Sequence, residues 1–252
     1  MSGPGTARDW DAATYERVST PQVEWARAVL DRLPLEGDET VLDAGCGTGR
    51  VTRMLLERLP RGRVIAVDSA PSMVEAARAA LGDRATVIEA DLAALELEEP
   101  VDAAFSNAVF HWIPDHDRLF AALHGAMKPG APLIAQCGGE GNVARFHAIA
   151  REVASEAPFA EHLAGWTGPW NFAAADETAA RLQRAGFDEI EAWLEPWPVT
   201  PDEPRAFIRT VCLGCHIYLL PEDLRDPFTD EVAERMEPEL DYVRLNIKAR
   251  RA

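Results

Sequence analysis

The sequence predicts an α/β fold, a parallel sheet covered by helices on both faces, and three observations lead there. Short apolar runs alternate with helix-period segments from about residue 40 to residue 137. A glycine-rich loop follows the first run, V-L-D-A-G-C-G-T-G over Val41–Gly49. Polar residues close the successive runs at Asp43, Asp68, Asp91 and Asn107. The length of 252 residues suits one large domain with an inserted cap.

Residues 1–20 are polar and Gly-rich, then punctuated by Trp10 and Tyr15. Pro21–Leu33 reads as a helix with Val23, Ala26, Val29, Leu30 and Leu33 on one face. Thr40–Asp43 is the first strand, Arg50–Leu59 a helix and Arg63–Val67 the second strand. Pro71–Leu81 is a helix with Ser69 as its cap and Pro71 in its first turn. Ala85–Glu89 and Ala103–Ser106 are the third and fourth strands. His116–Met127 is a helix stopped by Lys128-Pro129-Gly130, and Pro132–Gln136 is the fifth strand.

The alternation breaks after Cys137. Val143–Ala154 is helical, with Phe146, Ile149, Ala150 and Val153 on one side. Ala157–Asn171, rich in Trp, Gly and Pro, reads as a lid. Asp176–Ala185 is a helix ended by Gly186, and Ile190–Trp193 a sixth strand. Pro196–Glu237 is a second irregular and helical stretch, and the alternating run Asp241–Lys248 reads as the last strand. The expected organisation is one domain over 1–252, with an N-terminal helical segment at 1–35 and cap insertions at 138–175 and 196–238.

The loop carries the chemistry. Gly45, Gly47 and Gly49 permit a tight turn and close approach of a ligand to the backbone, at the N-terminus of the following helix. Asp68, at the tip of the second strand, can accept both hydroxyls of a ribose, so the site takes a nucleoside. A dinucleotide fingerprint reads G-x-G-x-x-G; here the spacing is G-x-G-x-G and Arg50 stands at the third fingerprint position. Asp43 would repel a pyrophosphate and suits a cationic ligand. S-adenosylmethionine has an ammonium, a sulfonium and no phosphate.

The stretch D-A-G-C-G-T-G, Asp43–Gly49, resembles the first motif of the class I S-adenosylmethionine-dependent methyltransferases. The resemblance implies a Rossmann-like seven-stranded, mostly parallel sheet whose last strand is antiparallel, with a small helical cap. It implies S-adenosylmethionine as cofactor and S-adenosylhomocysteine as product. Asp43, Gly45, Cys46 and Gly47 would border the methionine moiety, and Asp68 the ribose. Ser69 and Met73 would pack near the adenine, Asp91 would accept its amine beside the Leu92 backbone, and Asn107 would lie near the methionine end. Two readings from other classes are an NAD(P)-dependent oxidoreductase and a non-catalytic protein that keeps a nucleoside site.

The segment S-N-A-V-F-H-W-I-P-D-H, Ser106–His116, lacks the paired prolines that methyltransferases acting on amino groups often carry after this strand. It resembles the trans-aconitate methyltransferases and their relatives, which form a methyl ester on a small carboxylic acid. W-N-F-A-A-A-D-E-T-A-A-R-L-Q-R-A-G-F, Trp170–Phe187, is similar to the same group. Malonyl-carrier-protein methyltransferases share the pattern, and His111 stands where the acid methyltransferases often have Gln. The acceptor implied is the carboxylate oxygen of a small organic acid; a phenol, amine or carbon acceptor is the alternative.

A carboxylate is already ionised at pH 7 and needs no general base. A phenol or ammonium group would have to lose a proton, and His111 is then the catalytic candidate. The structural reading of His111 is a partly buried imidazole bonded to a backbone carbonyl. Tyr15, Trp112, Arg145 and Trp170 are candidate substrate contacts, with Trp112 as a pocket wall. Arg151, Arg205 and Arg209 lie in cap segments as well, and sequence does not choose among the arginines as carboxylate clamp. Trp10 and Trp166 are further lid candidates. His116, between Asp115 and Asp117, reads as a solvated helix start.

Composition narrows the partners. The net charge of −17 argues against a nucleic-acid surface. No stretch approaches a signal peptide or a transmembrane span, so a cytoplasmic protein, without a membrane partner, is expected. The four cysteines are too scattered for a disulfide framework. C-L-G-C-H, Cys212–His216, has the spacing of a c-type haem site, but its apolar setting reads as buried structural thiols. No metal site is expected. The expected partner is a small-molecule substrate, and the expected state a monomer or weak homodimer.

Overall fold

The computed structural model describes residues 20–252. Trp10, Tyr15 and most of the N-terminal segment lie outside the described residues. Helix α1 (Thr20–Leu30) precedes β1 (Thr40–Ala44), α2 (Arg50–Arg58), β2 (Arg63–Asp68), α3 (Pro71–Leu81), β3 (Ala85–Glu89) and β4 (Ala103–Asn107). A 3-10 turn, Phe110–Trp112, leads into α4 (His116–Ala126) and β5 (Pro132–Gly138). Then come α5 (Ala144–Ala154), α6 (Ala160–Leu163), α7 (Ala175–Ala185) and β6 (Phe187–Pro196). Helix α8 (Pro204–Phe207), a π turn (Ile208–Cys212), α9 (Gly214–Ile217) and α10 (Glu222–Arg235) precede β7 (Val243–Arg251).

The sheet has seven strands in the order β3-β2-β1-β4-β5-β7-β6. Strands β1 to β5 pair in parallel, and β7 runs antiparallel between β5 and β6. Because side chains alternate across a strand, Leu42, Ala104 and Leu133 pack on one face with Phe120 of α4 and Leu182 of α7. Val41, Ala103 and Ile134 pack on the other with Val29 of α1, Leu55 of α2 and Ala77 of α3. Both faces are covered, which is why the strands read as apolar runs.

A third apolar cluster stands apart from the sheet. Phe146 and Val153 of α5, Leu163 of α6, Phe207 of α8 and Phe228 of α10 meet Trp25 and Tyr242 there. Its two chain segments leave the sheet after β5 and after β6, which run in the same direction as β1. The cap therefore sits at the sheet end that carries the glycine loop. Arg235 of α10 ties its helix to α5 and the turn after it, through Glu152 at 3.2 Å and Glu156 at 2.7 Å.

Several expectations change. Strand β6 runs Phe187–Pro196 rather than Ile190–Trp193, because pairing with β7 carries it through a bulge between Asp188 and Glu191. The last strand is displaced to Val243–Arg251. Ser69 does not cap α3: Ala70 holds the cap position, and Asp68 Oδ1 accepts its N–H at 2.9 Å. His116 is buried rather than solvated, with Nε2 2.9 Å from the Phe110 carbonyl oxygen. That contact fastens the start of α4 to the 3-10 turn.

Candidate active site

The glycine loop is built onto the ends of two strands. Gly45 and Cys46 donate their N–H groups to the Val67 carbonyl at 2.8 and 2.9 Å, so the loop crosses the tip of β2. Gly47 N–H then donates to Asp68 Oδ2 at 2.9 Å. Gly45 has φ +89°, and a Cβ there would fall 2.1 Å from Val109 Cγ2. Only glycine meets both conditions.

Two carboxylates stand behind this loop. Asp43 is 1% exposed, and the Thr52 hydroxyl donates to its Oδ2 at 2.7 Å. Burial pushes its carboxyl up to about 7, the Thr52 bond pulls it down and the Asp68 charge raises it. No ion pair holds Asp43 among the described residues, so a ligand ammonium is the kind of group it fits. Burial also raises the Asp68 carboxyl, against the N–H groups of Ala70 and Gly47. Asp68 accepts the Gly47 N–H on Oδ2 and the Ala70 N–H on Oδ1, and a carboxylate has acceptor capacity beyond these for hydroxyls.

The flanking positions fall around the same strand ends. Met73 and Leu92 are buried, Ser69 is exposed, and Asn107 ends β4. Asp91 is exposed and its Oδ1 accepts the Ala93 N–H at 2.9 Å, which leaves Oδ2 uncommitted by that turn. The donor set thus fits S-adenosylmethionine: a buried anion, a ribose-sized acceptor pair and an apolar floor.

His111 borders the same region from the 3-10 turn. It is 8% exposed, and the Gly138 N–H donates to its Nδ1 at 3.2 Å. The backbone partner is therefore an N–H, not the carbonyl expected from sequence. Burial holds the imidazole well below 6.5, and the charge of Arg244 lowers it further. A neutral ring that accepts at Nδ1 carries its proton on Nε2.

Beyond Gly138 opens a cavity of about 250 Å³ under the cap. His147 and Arg151 of α5, His216 of α9, and Trp166, Trp170 and Phe172 of the lid line it, with Asn142 and Thr167 at its edge. The lid is docked by the Asn171 N–H to the His111 carbonyl at 2.9 Å and by Asn171 Nδ2 to the Pro114 carbonyl at 3.0 Å. Phe172 stacks on His111 with centroids 5.8 Å apart and Trp112 lies 6.0 Å from Trp170. No Asp or Glu is among the described residues lining this cavity.

Of the sequence candidates, His111, Trp112, Trp166 and Trp170 come together here. Arg145 does not: it is exposed and bonded to Glu237 at 3.2 Å and near Glu239 and Asp241. Arg205 and Arg209 are likewise occupied by Asp230 and Asp226. Arg151 is the one of the four arginines that lines the cavity, and it makes no ion pair among the described residues. Sequence reasoning missed His147, Phe172, His216 and Asn142; the only available signal was the position of His147 and Arg151 four apart on one helix face.

Comparisons with known proteins bear on the family and the fold. Residues 41–130 match the family model described as "Methyltransferase domain". The chain is 37% identical over 195 residues to a trans-aconitate 2-methyltransferase of Methylobacterium nodulans, covering 77% of this chain and 70% of that protein. It is 41% identical over 127 residues to the trans-aconitate 2-methyltransferase of Azoarcus sp., covering half of each. Among solved structures, an S-adenosylmethionine-dependent methyltransferase from Mesorhizobium loti superposes with a TM-score of 0.57 at 25% identity, over 90% of this chain and 97% of that one. Phosphoethanolamine N-methyltransferase 2 of Haemonchus contortus, in complex with S-adenosyl-L-methionine, shares the fold with a TM-score of 0.63 at 19% identity, over 95% of this chain and 56% of that one. This chain belongs to the trans-aconitate 2-methyltransferase family, within the S-adenosylmethionine-dependent methyltransferases.

Proposed function

We propose that the chain methylates a carboxylate oxygen of a small organic acid. One observation carries this reading. In a chain of net charge −17, the cavity beyond Gly138 is lined by Arg151, imidazoles and rings, and by no carboxylate among the described residues. Such a lining attracts an anion locally where the rest of the surface repels one. The Arg244 charge felt at His111 adds to it.

The chemistry S-adenosylmethionine supplies when bound is a sulfonium methyl, taken by a carboxylate oxygen as the carbon–sulfur bond breaks and its electron pair returns to sulfur. The chain's own residues align and dry the site. Asp43 balances the cofactor's ammonium, Asp68 holds the ribose hydroxyls, and Met73 and Leu92 border the adenine with Asp91. His111 offers its Nε2–H to the acceptor carboxylate and takes no proton, since its Nδ1 is already engaged by Gly138. Trp112, Trp170 and Phe172 exclude water around the acceptor. The reading with a phenol, amine or carbon acceptor would need His111 as base, and the same bond counts against it.

The test is methyl transfer from tritiated-methyl cofactor to pooled small acids, phenols and amines, followed by mild base. Label released as volatile methanol is the expected result. Base-stable label would move the acceptor to another oxygen, nitrogen or carbon.

A further inference from the structure

We infer that the preferred acceptor is a flat, conjugated or aromatic diacid, with one carboxylate beside His111 and the second held by Arg151 across an aromatic wall. This rests on the carboxylate reading above and goes beyond it to the class of acid. The rings touch in series. His111 and Phe172 stack at 25°, and Phe172 and Trp170 are nearly parallel at 7° with centroids 6.3 Å apart. Trp166 meets Trp170 edge-on at 5.7 Å, and His216 meets Trp166 at 4.5 Å. A planar body gains stacking on such faces that a puckered one does not.

The far end of the wall is where a second anion is accommodated. His147 lies 4.7 Å from Trp170 and 5.6 Å from Phe172, centroid to centroid. Its Nε2 is buried with no hydrogen-bond partner among the described residues. Arg151 stands one turn further along α5, about 6 Å up the helix axis, and lines the same cavity. Its guanidinium can grip a carboxylate with two parallel bonds, and the open His147 nitrogen lies alongside.

The charge inventory limits the number of such groups. Burial and the neighbouring Arg151 push His147 down to about 4, against the Asp241 charge that raises it, so it is neutral near pH 7. Arg151 is then the one fixed cation in the described lining. A third carboxylate would find no second fixed cation in the described lining to pair it, and a desolvated, unpaired charge is strongly disfavoured. The cavity thus differs from one built for a tricarboxylate, which is what the relatives' printed substrate, trans-aconitate, carries.

The experiment compares kcat/KM, read as base-labile methyl ester, for benzoate, pooled benzene dicarboxylates, cyclohexane-1,3-dicarboxylate and trans-aconitate. The aromatic diacids are expected to exceed each of the others by at least tenfold. In Arg151→Gln the ratio of diacid to benzoate is expected to fall at least tenfold. In Trp170→Leu the ratio of aromatic to saturated diacid is expected to fall toward one. Both ratios are internal to one variant, so a general loss of activity does not mimic the result. Trans-aconitate or the saturated ring as best substrate, or an unchanged diacid ratio in Arg151→Gln, would overturn the inference alone. No ester from any acid, with S-adenosylhomocysteine still bound, would sink the carboxylate reading and this inference together.

Discussion

Gly138 and His111 are joined by a bond in which the backbone N–H donates to imidazole Nδ1 at 3.2 Å. The strand tip thereby fixes which ring nitrogen carries the proton and where it points. In the proposed reading His111 is a positioning donor, and Gln, with an amide N–H of similar reach, is a conservative replacement. His111→Gln is expected to keep kcat/KM within about fivefold. His111→Phe, which fills the space without a donor, should lose roughly 10- to 100-fold, the worth of a hydrogen bond to a charged group. The pH profile between 6 and 8 should show no limb that disappears in His111→Gln. A base-like limb near 6.5 in the native protein, abolished by that substitution, would contradict this role.

Asp43 gives a second prediction through its raised carboxyl, at about 7 when folded against 3.8 in an unconstrained chain. Cofactor with a positive ammonium binds the ionised form, so affinity for S-adenosylmethionine should rise as pH goes from 6 to 8. Calorimetry in buffers of different ionisation heat should find proton release on binding, and proton uptake would contradict it. For stability the sign is opposite. The folded state binds the proton more tightly, so the contribution is full below pH 3.8 and is lost as pH rises through 7. The shift corresponds to roughly 4 kcal/mol, an order-of-magnitude figure. Asp43→Asn should therefore gain thermal stability over the native chain at pH 8 more than at pH 4, while losing cofactor binding.

Gly45 gives a third. Alanine there would keep φ near +89° at a cost of about 1 kcal/mol and drive its Cβ into Val109. Gly45→Ala should destabilise the chain by more than ~2 kcal/mol in urea and weaken S-adenosylhomocysteine binding. Adding Val109→Ala should recover the steric part and leave the backbone part. Equal stability of the single and double variants would show that Val109 is not the obstacle.

The residues that lay legible in the sequence are those whose partners are near in the chain. Val41–Gly49 and Asp68 are 20-odd residues apart, and a strand, a loop and a helix between them leave few arrangements. The choice among four arginines had no such help. Arg145 is occupied by Glu237, Glu239 and Asp241, about 90 residues further along, and only the folded cap brings them together. His116 misled because its neighbours Asp115 and Asp117 are charged and exposed, while its own ring turns inward to the Phe110 carbonyl. His216 was hidden by the Cys212–Cys215 spacing before it, which draws the eye to thiol chemistry; Cys212 is simply buried in the cap cluster.

The antiparallel β7 has an effect on how this protein can change. By inserting between β5 and β6, it lets two separate stretches, 139–174 and 197–242, depart from and return to the same end of the sheet. Every described residue lining the cap cavity falls between 141 and 216, after the stretch matched by the methyltransferase domain. In the proposed reading the donor seat and most of the acceptor lining thus lie on successive lengths of chain, with His111 and Trp112 reaching the acceptor from the earlier one. Substitutions, or whole grafts, downstream of Gly138 can redirect what is methylated while the seat proposed for the methyl donor is inherited unaltered.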